Sequence, residues 1–166
     1  MNLPATERSS LPVAQPVRAA GRLLGIALAL GYLSAAAAVP EPVYFNVVPG
    51  AHPHDVAAAP TPKGLVYYTA QSTGRLGILD PATGKVEEVA LGDKSSPHGV
   101  VVGPDGAPWI TDGGLNAIVR FDPETEKFAS YPSNRANATV RQMLGRAGEA
   151  WGAESGTDRL VMVPSR

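Results

Sequence analysis

Two Pro-His pairs, Pro53-His54 and Pro97-His98, stand at the start of short apolar stretches. Histidine titrates near neutrality, so His54 and His98 can exchange protons or donate hydrogen bonds to a ligand. Two carboxylates close short runs that begin with tryptophan: Trp109-Ile110-Thr111-Asp112 and Trp151-Gly152-Ala153-Glu154. Carboxylates suit hard cations; they also cap turns or pair with cations such as Arg120 and Arg159. Asn116 adds a hydrogen-bonding amide and Arg141 a permanent positive charge able to hold an anionic group. Cysteine is absent, which excludes disulfide scaffolds, thiolate zinc sites and cysteine nucleophiles.

These residues recur in register. Trp109 and Trp151, Gly103 and Gly145, and Asp80 and Asp122 each stand 42 positions apart. His54 and His98 stand 44 apart, so the first unit carries two extra residues, which we place near its start. A period of about 40–45 residues with four short strands per unit is the signature of a β-propeller blade. The units span residues 53–91, 97–133 and 140–163. In the second, strand a is expected over 99–102, b over 108–111, c over 117–121 and d over 127–131. Pro104-Asp105-Gly106 and Asp122-Pro123-Glu124-Thr125 supply turns. Residues 43–48, Val-Tyr-Phe-Asn-Val-Val, form a spare strand without a unit of its own, expected to supply the outer strand of the last blade. Trp109 and Trp151 read as core between blades.

In an antiparallel a–b–c–d meander, the d-to-a and b-to-c connections share one face. That places His54, His98, Asp112, Asn116 and Glu154 together, with the histidines at the mouth of the central channel. His52 reads as an exposed loop residue.

Composition agrees with an all-β fold. The chain has 166 residues, with 18 glycines and 16 prolines, a turn-rich balance unlike that of a helical bundle. Hydrophobic content of 44% opposes disorder, and a net charge of −1 opposes nucleic-acid binding. The first 22 residues carry Arg8, Arg18 and Arg22 against Glu7, and an apolar run follows from Leu23 to Ala38. Its A-x-A end, Ala36 and Ala38, reads as a secretory signal over 1–38. At 16 residues the run is short for a stable membrane span, although an uncleaved anchor is the alternative. Residues 39–166 are then exported, to a periplasm or the exterior.

The pattern Pro97-His98-Gly99-Val100, Gly103-Pro104-Asp105-Gly106, Trp109-Ile110-Thr111-Asp112, Asn116-Ala117-Ile118-Val119-Arg120 and Asp122-Pro123-Glu124-Thr125 resembles the virginiamycin B lyase (streptogramin lyase) family. Its ring is of the seven-bladed type, related in blade pattern to NHL and gluconolactonase-like propellers. The resemblance implies ring-opening C–O elimination on the ester of a cyclic depsipeptide of the streptogramin B type, and hence antibiotic resistance. It implies a histidine general acid/base, matched by His98, and Mg2+ held by carboxylates, matched by Asp112 and Glu154. His54, Asn116 and Arg141 would contact the substrate. The match departs from the family in three ways. The last unit aligns Val140, followed by Arg141, with the motif histidine. Ser96 stands two residues before His98 where the family has glutamate. Ala70 occupies the strand-b carboxylate position in the first unit.

Three units are fewer than the four to eight blades of known rings. Two copies could complete a six-blade ring. The alternatives to a lyase are a non-catalytic periplasmic ligand-binding propeller and a truncated inactive copy. The expected partner is a small molecule or cyclic peptide.

Overall fold

A computed structural model of the chain describes residues 40–165. The secretory segment assigned to 1–38 lies outside the described residues. Among the described residues no helix is long and apolar enough to cross a membrane. The described residues form eleven strands: β1 (Pro53–Ala58), β2 (Val66–Ala70), β3 (Arg75–Asp80), β4 (Lys85–Ala90), β5 (Pro97–Val102), β6 (Pro108–Asp112), β7 (Ala117–Asp122), β8 (Lys127–Pro132), β9 (Val140–Arg146), β10 (Glu149–Glu154) and β11 (Arg159–Pro164). They make three antiparallel meanders in the orders β1-β2-β3-β4, β5-β6-β7-β8 and β9-β10-β11. These are propeller blades, and the four strands expected in the second unit are found in order.

Local chemistry sets the turns. Asp80 accepts hydrogen bonds from the Ala82 amide at 2.9 Å and the Thr83 hydroxyl at 2.8 Å, which turns the chain from β3 into β4. Asp122 does the same between β7 and β8, accepting the amides of Glu124 and Thr125. These bonds hold both carboxyls below the usual carboxylate range, first through Thr83 at Asp80 and through the Thr125 amide at Asp122. Between β5 and β6, Asp105 accepts the Ala107 amide and pairs with Arg120 at 2.7 Å, while Gly106 takes a left-handed φ of 79°.

The two additional residues of the first unit lie in its a-to-b loop, not at its start. Ala58 pairs with Val66, whereas Val102 pairs with Pro108. The Ala59–Leu65 and Gly103–Ala107 bonds close equivalent loops of different length.

Two apolar seams join the blades. In the first, Tyr67 and Leu76 pack with Val100, Ile110, Val119 and Phe121. In the second, Trp109 and Ile118 pack with Ala138, Val140, Ala150 and Val163. The central strand β6 is buried along its whole length, as a strand covered on both faces must be. Trp109 is 3% exposed and stacks on Tyr131 with ring centroids 5.6 Å apart.

Two expectations are corrected. Trp151 is not core between blades. Its alternation with the buried Ala150 and Gly152 points it to the other face of β10, where its indole N–H donates to Glu149 at 2.6 Å. Residues 43–48 are not a strand and do not close the third blade. Val47 instead packs against Ala51, Tyr68 and Ala70 on the first blade. Strands β1, β5 and β9 pack in succession, so the first and third blades are the two ends of the series.

Candidate functional site

Strand register decides which residues are equivalent. Pro53 pairs with Ala70, Pro97 with Asp112 and Val140 with Glu154. The next residues along the three inner strands are His54, His98 and Arg141. The structure therefore puts Arg141, and not Val140, at the histidine position of the third blade. Sequence alignment at a constant offset misses this because the a-to-b loop of the third blade is shorter, with Arg146 pairing with Glu149.

A β-bulge follows each Pro-His pair, between Pro53 and Val56 and between Pro97 and Val100. Bulges re-aim side chains, and proline is tolerated where ladder pairing lapses. The His54 and His98 rings meet at 3.8 Å between centroids, tilted by 43°. His54, His98 and Arg141 line a cavity of about 450 Å³ with Gln71, Ser96 and Thr139. His54 and Arg141 are exposed; His98 is half-buried.

Burial lowers the His98 pKa below the ordinary 6.5, and repulsion from His54 and Arg141 lowers it further against the opposing pull of Asp55. Its Nδ1 is buried and has no hydrogen-bond partner among the described residues. A second proton would place an unpartnered charged N–H there, which favours the uncharged imidazole over imidazolium.

Two threonines hold this row in place. The Thr69 hydroxyl accepts the Asp55 amide at 3.0 Å and donates to the His98 carbonyl at 2.9 Å in the next blade. Thr111 repeats the arrangement, accepting the Gly99 amide at 2.9 Å and donating to the Arg141 carbonyl. A Cβ on Gly99 would stand 2.9 Å from that carbonyl oxygen, so a larger residue here would force the backbone apart. Asp55 adds a crossing bond, accepting the Val100 amide at 3.0 Å. Gly99 and Thr111 entered the sequence reading only as members of the repeated motif, and no role at the site was expected of Thr69, Asp55, Gln71 or Thr139. The 42-residue spacing of Thr69 and Thr111 was the available signal.

Asp112, Glu154 and Asn116 do other work. Asp112 is fully buried and accepts the Ser95 hydroxyl at 2.6 Å and the Ser96 and Leu115 amides at 2.9 Å. It ties the d-to-a connection to the b-to-c loop. Glu154, 1% exposed, pairs with Arg159 at 2.9 Å and accepts from Thr157. Burial raises its pKa, but hydrogen bonding from Ser133 and the Arg159 charge outweigh that and hold it low. Asn116, with a left-handed φ of 53°, donates to the Arg135 carbonyl and accepts the Ala138 amide. Its amide is consumed in holding the loop before β9, and it does not line the cavity.

The expected magnesium pair does not fit. Magnesium needs oxygen ligands and bound waters in octahedral array. Both Asp112 oxygens already accept hydrogen bonds, and Glu154 is enclosed with only Oε1 unpartnered. Among the described residues no three histidine, aspartate or glutamate side chains cluster as metal ligands. The cation beside the histidines is Arg141.

No protein-family profile matches the chain, nor does any curated protein. Solved structures do. A streptogramin B lyase structure superposes with a TM-score of 0.65 at 21% identity, over 73% of this chain and 40% of that one. A virginiamycin B lyase from Staphylococcus aureus gives 0.58 at 18%, over 70% and 42%. A catalytically inactive histidine-to-alanine form of that enzyme with quinupristin gives 0.60 at 17%, over 72% and 44%. This chain thus spans less than half the length of these proteins. At 17–21% identity the likeness is one of fold: the described residues form blades of a virginiamycin B lyase-like β-propeller.

Proposed function

We propose that this chain is an exported, lyase-like propeller that opens the ester of a cyclic depsipeptide by C–O elimination, with His98 as the general base. The observation that carries this reading is that His98, in contact with His54, shares a cavity with Arg141 at the inner strand starts. Neutral imidazole takes the proton from the carbon alpha to a carbonyl. The C–H electron pair becomes the new C=C bond as the C–O bond to the ester oxygen breaks. The proton rests on His98 and the departing oxygen leaves as a carboxylate. Arg141, charged at any physiological pH, stabilises the enolate-like charge that develops between these events and receives the product carboxylate. His54 packs against the base and contacts substrate.

The experiment is incubation of the chain with quinupristin, the compound seen with one structural neighbour, followed by mass spectrometry. Elimination opens the ring without changing the mass, whereas hydrolysis adds one water. Activity that His98→Ala abolishes supports the reading; an intact ring after prolonged incubation rejects it. The second reading is a binding propeller without turnover. It is favoured by the absence, among the described residues, of any partner for His98 Nδ1, because a catalytic histidine is usually oriented through its second nitrogen. Quenching of tryptophan fluorescence by quinupristin without ring opening would select it.

A further inference from the structure

We propose that residues 43–48 form the missing outer strand of the third blade in a second copy of the chain, so that two copies close one ring. Three observations meet here. Residues 43–48 stand one 42-residue period before β4, which itself stands one period before β8. By register they are an outer strand, yet among the described residues they pair with none. Val43 is 77% and Tyr44 86% exposed. At the other end of the series, β11 has β10 on one side and no strand on the other. The face of the third blade turned away from the second exposes Leu144 at 75%, Leu160 at 71% and Met162 at 42%, around Trp151. An apolar face beside an unpaired edge is a template for another strand.

The seams between blades say what fits. β4 pairs with β3 through Asp80–Lys85 to Arg75–Ala90, and β8 pairs with β7 in the same register. Carried forward one period, that register sets Val43 opposite Pro164, Phe45 opposite Met162 and Val47 opposite Leu160. Val47 already packs on the outer face of the first blade, the side that a preceding blade would cover. The strand therefore stands where a preceding blade's outer strand belongs, and a partner's β9–β11 would complete that blade. Each copy gives one strand and receives one, the reciprocal exchange of a two-fold pair. Its six blades lie within the range of known propellers. The cavity at His54 and His98 would then open on a closed channel. This closure stands independently of any turnover by His98.

The test uses the absence of native cysteine. The full chain carrying Phe45→Cys is mixed with the full chain carrying Met162→Cys under oxidising conditions. A disulfide-linked heterodimer is expected, since opposed strand positions lie within disulfide reach. A Phe45→Cys with Lys85→Cys mixture is the control and should not cross-link above background. Light scattering of the unmodified chain should give twice the chain mass, and Leu160→Glu, an exposed site on the single copy, should halve it with an unchanged circular dichroism spectrum. A folded monomer, no cross-link, or equal cross-linking in the control overturns the proposal.

Discussion

The Thr69 hydroxyl donates to the backbone carbonyl of His98 at 2.9 Å, across the seam between the first and second blades. The strand start that presents His98 is thus fixed by the blade before it. Thr69→Val keeps the shape and removes the hydroxyl, leaving the Asp55 amide and the His98 carbonyl short of a partner. We expect a loss of about 1–3 kcal/mol in urea denaturation. Ala153→Thr, at the equivalent place in the third blade, should gain nothing in the single chain. Equal effects at the two positions would contradict the assignment of the hydroxyl to the seam.

The lowered pKa of His98 sets a direction for pH dependence. Its basic form persists below the ordinary histidine value of 6.5, so the acid limb of any activity profile should lie below that value. Arg141→Gln removes a fixed repelling charge and should move the limb upward. Stability follows the same linkage. As pH falls below 6.5, the unfolded chain takes up a proton before the folded one does. The folded state therefore loses stability down to the lowered pKa, and no further loss from this group occurs below it. A limb unmoved by Arg141→Gln would reject the coupling.

Burial separates the two tryptophans. Trp109→Ala removes a side chain 3% exposed and should cost roughly 3–5 kcal/mol. Trp151→Ala, on the outer face of the third blade, should cost clearly less at dilution, with any further loss dependent on protein concentration. Chemical denaturation at two concentrations measures both.

The strand-b carboxylates should behave as loop anchors. Asp112→Asn replaces one accepting oxygen with a donor facing either the Ser95 hydroxyl or two backbone amides, and we expect a loss of about 1–3 kcal/mol. Added magnesium or a chelator should leave the melting temperature of the unmodified chain unchanged. A magnesium-dependent rise that Asp112→Asn removes would restore the metal reading.

The blades were legible because their turns are written in residue chemistry: Asp80 and Asp122 recur with the same offset and do the same work. His54 and His98 were legible for the same reason. Arg141 was placed one position off because the third blade shortens a loop, and loop length leaves no trace in a fixed offset. The sequence left Asp112 and Glu154 between metal ligation and turn capping or pairing with an arginine, and Glu154 does pair with Arg159; a sequence does not reveal whether a side chain's bonding capacity, like that of Asn116, is already taken. Residues 43–48 were expected as a strand of the third blade and form none: β1, β5 and β9 pack in succession, which sets the first and third blades at opposite ends of the series.

The threonine bridges have a polarity. Thr69 reaches forward to the second blade and Thr111 to the third, and each lands on a main-chain carbonyl that any residue supplies. For this bridge, a blade that keeps its forward hydroxyl asks of its successor only a main-chain carbonyl and an apolar face for the seam. Such a joint tolerates tandem copying: a duplicated stretch from Pro97 to Thr139 would find a donor ahead of it and leave one behind. Ring size in this architecture is therefore open to change by whole-unit gain or loss, without new seam chemistry at each step.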